Sequence, residues 1–191
     1  MRTSFSLALL VALVAVAGCS NPAAPGAPGT YFPATVGSAW LYTDGRSIFT
    51  MNVMSDTVVD GTAWHVMMSY FNNVTSHVLQ RNVGGVHYRR TIDSTLEWTL
   101  LDETAGGSWN YVDTAGALHY QCSTVEHLDS RYVWNRTFSD LLRVHVLTYA
   151  LPPYTETTAE SDYYYARNVG LVQVVTRGSA DTLYLLNYDI K

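Results

Sequence analysis

Lysine is all but missing from this chain of 191 residues: the one example is Lys191. With 11 basic residues against 16 acids, the net charge is −5, which argues against a general nucleic-acid binder. Charged residues make up 14% and hydrophobic ones 48%, a balance that excludes a disordered chain and a coiled coil. Two cysteines are too few for a disulfide-stapled miniprotein, and 13 glycines without a triplet period exclude collagen. Catalytic signatures are also lacking. There is no H-E-x-x-H, no G-x-S-x-G, no Walker loop, no G-x-G-x-x-G and no D-x-D-x-D-G calcium loop. Gly106-Gly107-Ser108-Trp109-Asn110 approaches a nucleophile elbow. It has asparagine where glycine belongs, and it precedes a strand pattern where the elbow needs a helix. From Tyr31 onward no amphipathic helical period is present.

What is present begins with the first segment. Arg2 supplies a positive n-region, and Leu7 to Val16 form an apolar run of ten residues. That run falls short of the ~20 residues a spanning helix needs. Small residues follow, as a signal-peptide cleavage site requires. Val16-Ala17-Gly18-Cys19 resembles a bacterial lipobox. The resemblance implies cleavage before Cys19 and acylation of its thiol by palmitate-like chains, so residues 1–18 read as a lipoprotein signal peptide. Two or three acyl chains anchor a protein firmly to a bilayer. Ser20, not aspartate, resembles an outer-membrane address. Residues 20–30, SNPAAPGAPGT, carry no charge and no large apolar side chain; with Cys19 they read as a lipidated tether, 19–30.

Residues 31–191 read as one domain built almost wholly of strands. Trp64, Val66, Met68 and Tyr70 alternate with His65, Met67, Ser69 and Phe71, and Leu118, Tyr120 and Cys122 alternate with His119 and Gln121. Valine, threonine, tyrosine and tryptophan abound, as suits a pleated, half-buried surface. About ten strands are expected, near 38–43, 47–55, 62–72, 75–82, 85–91, 95–101, 109–113, 117–127, 131–149 (where Asn135 offers a break) and, as two or three strands, 160–188. Asp60-Gly61 is the clearest hairpin signal, Asn72-Asn73 reads as a turn, and Gly84-Gly85, Ala115-Gly116 and Gly178-Ser179 punctuate the rest. Residues 137–143 could form one helical turn, and Pro152-Pro153 opens a loop. The expected fold is all-β: a single antiparallel meander forming a curved half-barrel-like sheet, with a β-sandwich as the alternative.

Two segments carry a resemblance. Tyr31-Phe32-Pro33 followed by Val36-Gly37 and Trp40-Leu41-Tyr42 reads Y-F-P-x-x-V-G-x-x-W-x-Y, and Tyr164-Tyr165-Ala166 followed by Val169-Gly170-Leu171-Val172 reads Y-Y-A-x-x-V-G-L-V. Gly107-Ser108-Trp109 and Thr137-Phe138-Ser139-Asp140 fall between them. The order resembles a diffuse class of bacterial envelope lipoproteins of unassigned function. It implies a curved antiparallel sheet, as in the lipoprotein-carrier fold, and it brings no catalytic residues. The Tyr163–Tyr165 run puts aromatic rings on both faces of a strand. It predicts either an edge covered by the N-terminal segment or an aromatic surface for a partner.

The chemistry-bearing residues do not assemble in sequence. His119 and His127 share a strand face but lie about 26 Å apart at ~3.3 Å per residue. His65, His77, His87 and His145 show no ligand spacing either, so no metal and no cofactor are expected. Cys122 has no partner once Cys19 is acylated and reads as a small buried hydrophobe. Asp102-Glu103 reads as a solvated loop. The sequons at Asn73 and Asn135 carry little weight in a bacterial protein. The resulting expectation is a membrane-anchored envelope lipoprotein of the outer membrane, held through acyl chains on Cys19. It has no catalytic residues and binds an apolar ligand or an envelope protein partner, and no nucleic acid. A structural subunit of a surface assembly and a hydrolase without a motif are the alternatives.

Overall fold

A computed structural model describes residues 29–104, 106–112, 118–150, 157–180 and 182–191. The signal segment, Cys19, the turn at Ala115-Gly116 and the loop at Pro152-Pro153 lie outside the described residues. The described residues contain twelve strands and no helix. They are β1 Ala39–Thr43, β2 Ile48–Val59, β3 Thr62–Phe71, β4 Val74–Val83, β5 Val86–Thr91, β6 Trp98–Asp102, β7 Ser108–Val112, β8 Leu118–Val133, β9 Arg136–Ala150, β10 Thr157–Ala166, β11 Gly170–Thr176 and β12 Thr182–Asp189.

All twelve form one antiparallel meander in the order β6-β5-β4-β3-β2-β1-β12-β11-β10-β9-β8-β7. The first and last strands pair, Trp40 opposite Tyr188, so the sheet curls back on itself. Register shifts in six of the strand pairs, for example between Val53 and Ser55, bend and twist the strands as bulges do. The result is a barrel nearly closed, with one seam between β6 and β7. The expected curved meander is therefore correct in kind and curls further than a half-barrel; the sheets do not divide into a sandwich. Across the seam Trp98 stacks on Tyr111 at 6.4 Å, and the Thr124 hydroxyl donates to the Asp102 carbonyl at 2.6 Å.

Turn chemistry follows the sequence. Asp60 and Gly61 both have positive φ (53° and 76°), as a type I′ hairpin requires, and Asn72-Asn73 repeats this at 47° and 64°. The expected helical turn at 137–143 is instead strand β9. Phe138, Leu141 and Leu142 are apolar at spacings that mimic a helix, but the cause is a kink. Asp140 adopts φ 51°, which resets the strand's alternation and buries both leucines. The gap expected between residues 127 and 131 is absent too, and the chain turns at Trp134-Asn135, where Asn135 offered a break. Strand β8 runs on to Val133, and the long β8–β9 hairpin folds back over the β10–β12 wall. There the Arg131 guanidinium lies 3.6 Å above the Tyr164 ring, Trp134 meets Tyr184, and Phe138 meets Tyr188.

The core lies inside the barrel. Trp40, Tyr42, Val53, Met67, Leu101, Cys122, Val144, Val172 and Leu185 are buried there. Alternation sends Tyr163 and Tyr165 inward and Tyr164 outward under Arg131. The tyrosine run is thus neither a free aromatic surface nor an edge covered by the N-terminal segment: the hairpin covers its outer ring.

Candidate functional site

One end of the barrel is stoppered by the chain's own N-terminal segment. Glu103 follows β6 and points back to that segment. Its carboxylate accepts hydrogen bonds from the Tyr31 amide (2.7 Å), the Thr30 hydroxyl (2.8 Å) and His87 Nε2 (2.7 Å). Burial opposes its charge, yet those donors outweigh it and hold the carboxyl below the usual carboxylate range. Glu103 is therefore a part-buried clamp, not part of the solvated loop its neighbours suggested. Tyr31 is fully buried, and its hydroxyl donates to Asp140 while accepting from Arg167 Nη2 at 2.9 Å. Arg167 also donates to the Gly29 carbonyl at 2.6 Å, and the Asn168 amide donates to the Thr30 carbonyl at 2.8 Å.

The segments that carried the family resemblance meet at this stopper. Phe32 packs against Trp40 (5.8 Å) and Tyr165 (6.4 Å), and the Trp40 indole donates to the Val169 carbonyl at 2.5 Å. Asp140 of the T-F-S-D run supplies the acceptor for Tyr31. Their role is architectural: they fix Gly29 to Phe32 in the barrel end.

Further in, the inner wall changes character. Arg89 on β5 lies opposite Gln80 of β4, with its Nη2 3.5 Å from the Gln80 amide oxygen. No described carboxylate lies within ion-pair distance of it, and its Nε is buried without a partner. The tyrosines Tyr42, Tyr111, Tyr163 and Tyr165 surround its charge. Burial pushes the Arg89 guanidinium down from its ordinary value, and burial pushes the tyrosine hydroxyls up, Tyr163 to about 12. Tyr42 Oη, Gln80 Nε2 and Trp109 Nε1 are buried and also lack partners. Beside them Trp98, Tyr111 and Tyr120 form a ring stack, Tyr111 to Tyr120 at 4.5 Å.

Antiparallel alternation puts the β1–β2, β3–β4 and β5–β6 connections at the end away from the stopper. That end carries exposed Ile48, Phe71, Val74, Ile92, Leu96 and Val112. The inward-facing Phe49, Val78, Arg89, Tyr111 and Tyr163 are only partly buried, in contrast to Trp40 and Tyr42.

The histidines do not converge. His145 on β9 faces Asp162 of β10 at 3.0 Å, inside a shallow surface depression of about 220 Å³. Arg143, Glu160 and Arg177 complete that depression, and Arg177 meets Glu160 at 2.5 Å. Cations and acids there pair with one another across neighbouring strands. His119 packs at a tilt against Tyr149, and His127 sits beside Tyr31. Among the described residues no three metal-ligating side chains gather. Cys122 faces the core, where burial pushes its thiol up to about 12. Arg89 and Glu103, the two most distinctive groups, were missed by sequence reasoning.

The geometry defines a nearly closed antiparallel barrel with one stoppered end. Two solved structures have a similar overall fold. One, from Bacteroides fragilis, is described as an exported protein with a YmcC-like fold. It superposes with a TM-score of 0.56 at 12% identity, over 84% of this chain and 99% of that one. The other, from Parabacteroides distasonis and described as a lipoprotein, gives 0.51 at 13% identity over the same shares. The likeness establishes the fold. No family model and no curated protein matches the chain.

Proposed function

We propose that this chain is a lipid-anchored lipoprotein of the bacterial outer membrane, acylated at Cys19, that holds an apolar ligand inside its barrel without catalysing a reaction. The observation that carries the binding half is the inner wall. Aromatic and aliphatic side chains line it, the stopper fills one end, and partly buried rings face inward toward the apolar far rim. Ligand pockets are mostly apolar with a few placed polar groups, and this wall has that composition. The anchoring half rests on the sequence Val16-Ala17-Gly18-Cys19 and on the fold shared with a protein described as a lipoprotein.

The test is expression of the full chain in a bacterium with an outer membrane, supplied with radiolabelled palmitate. Label on the wild type and none on Cys19→Ser supports the anchor; equal label on both overturns it. Native mass spectrometry of the same preparation reads the second half. A reproducible adduct of lipid-like mass supports the barrel as a binding site, and a clean unliganded protein counts against it.

A further inference from the structure

We infer that the barrel reads the head of its ligand as well as its tail: the Arg89 guanidinium, with Tyr42 and Gln80 beside it, pairs with the carboxylate of a long-chain monocarboxylic acid. This rests on the apolar-ligand reading above and names its chemical class.

The argument begins with a deficit. Buried charges are normally paired, because a guanidinium taken from water without an anion loses several kcal/mol of solvation. Arg89 sits on the inner face of β5 with no described carboxylate in ion-pair distance. Its contact to Gln80 is at the 3.5 Å limit, and its Nε has no partner. Two more buried donors beside it are unsatisfied: Tyr42 Oη and Gln80 Nε2. Tyr42 and Gln80 are wholly buried, so bulk solvent does not serve them.

All three groups donate hydrogen bonds, so the missing partner is an acceptor, and the positive charge makes it an anion. A carboxylate has two oxygens and about four lone-pair sites, enough for the guanidinium fork and neighbouring donors. The rest of the wall selects the other half of the molecule. Trp98, Tyr111 and Tyr120 stack toward the far end, and Phe49 and Phe71 meet near the rim at 6.3 Å. A head at Arg89 and an alkyl tail along these rings toward the rim fits both chemistries. A small free anion would use the first and leave the second unfilled.

The experiment uses the full acylated chain in phospholipid nanodiscs, with palmitate carrying ¹³C at the carboxyl carbon as the probe and ¹³C-1 hexadecanol as its uncharged counterpart. A carboxylate paired with Arg89 gives a second palmitate resonance. That resonance holds its ionised position as pH falls from about 8 to 5, while the bilayer pool titrates. Arg89→Met abolishes this resonance and leaves any hexadecanol signal in place; Tyr42→Phe weakens palmitate binding about tenfold. Removing an unpaired, partly buried charge does not lower the thermal midpoint of unliganded Arg89→Met, which separates head recognition from a structural role. Palmitate bound equally by wild type and Arg89→Met overturns the inference, as does displacement of palmitate by millimolar acetate. A bound hexadecanol signal without a palmitate one removes the head recognition and keeps the apolar site. If neither probe binds, the apolar-ligand reading falls as well.

Discussion

Tyr31 donates its hydroxyl proton to a carboxylate oxygen of Asp140 at 2.5 Å, across 109 residues of chain. The bond joins the segment beside the expected tether to the kinked point of β9, where Asp140 holds φ 51°. Burial and the Asp140 bond together raise the Tyr31 hydroxyl to about 12, so it stays a donor throughout the ordinary pH range. Tyr31→Phe keeps the ring and deletes the hydroxyl. A hydrogen bond to a charged group is worth about 1.5–3 kcal/mol. Because Asp140 is half exposed, a loss of about 1–2 kcal/mol in urea unfolding is expected, with faster proteolytic cutting near residue 30. Unchanged stability and unchanged cutting would show that the contacts of Phe32, Glu103, Arg167 and Asn168 hold the segment without the Tyr31 hydroxyl.

Acid acts on the same stopper through two carboxylates. Burial works against charge on both, but donors outweigh it: His87, Thr30 and the Tyr31 amide at Glu103, and Tyr31 with Arg167 at Asp140. Both folded-state values lie below the unfolded ones, about 3.9–4.3. Such groups contribute stability that is complete above the unfolded value and lost as pH falls through the folded one. The stopper should hold from neutral pH to about 5 and loosen progressively below about 4. Amide hydrogen exchange at Tyr31, followed across that range, reads this directly. Glu103→Gln should show faster exchange at neutral pH and a shallower response to acid. Loosening on the alkaline side instead would contradict the assignment.

Gly170 makes a sharper demand on sequence. Its φ is 104°, outside the left-handed helical well that other residues can reach, and an added Cβ would lie 3.2 Å from Trp40 Nε1. That nitrogen already donates to the Val169 carbonyl. Gly170→Ala therefore strains the backbone and presses on the indole together, at about 1–3 kcal/mol. Tryptophan emission should shift to the red as Trp40 is displaced. Gly178→Ala, also at positive φ (73°) but with open space around it, should leave the emission unchanged and serves as the control.

The strands and their turns were legible because their signals are local. A period of two, Asp60-Gly61 and Asn72-Asn73 need nothing beyond neighbouring residues to be read. The failure at 137–143 has a physical cause: one residue in a left-handed conformation imitates a helical period. Closure of the sheet was not legible, since pairing between β1 and β12 is set by accumulated twist and bulges. The family-like segments were visible, but their meeting depends on Trp40 reaching Val169 across 129 positions. Arg89 was hidden for a different reason. Whether an arginine on an alternating strand faces water or a barrel interior is decided only when the sheet curls, and no local property of His87-Tyr88-Arg89-Arg90 separates the two.

Cys122 offers a gauge of how firmly the barrel closes. It lies on β8 opposite Trp109 of β7, the strand that borders the seam. Burial raises its thiol to about 12, so at pH 8 it carries roughly a thousandfold less thiolate than an ordinary cysteine. Native alkylation by iodoacetamide must then await an opening that lets in water. The seam is held in part by the Thr124 hydroxyl on the Asp102 carbonyl, a bond worth about 1 kcal/mol. Thr124→Val keeps the branched shape and removes that bond. If the thiol is reached through the seam, the substitution speeds native alkylation about fivefold. It should leave the rate in guanidinium-unfolded protein untouched. Equal native rates would mean that Cys122 is exposed by global unfolding instead, and that the seam stays shut as tightly as the hydrogen-bonded strand pairs around it.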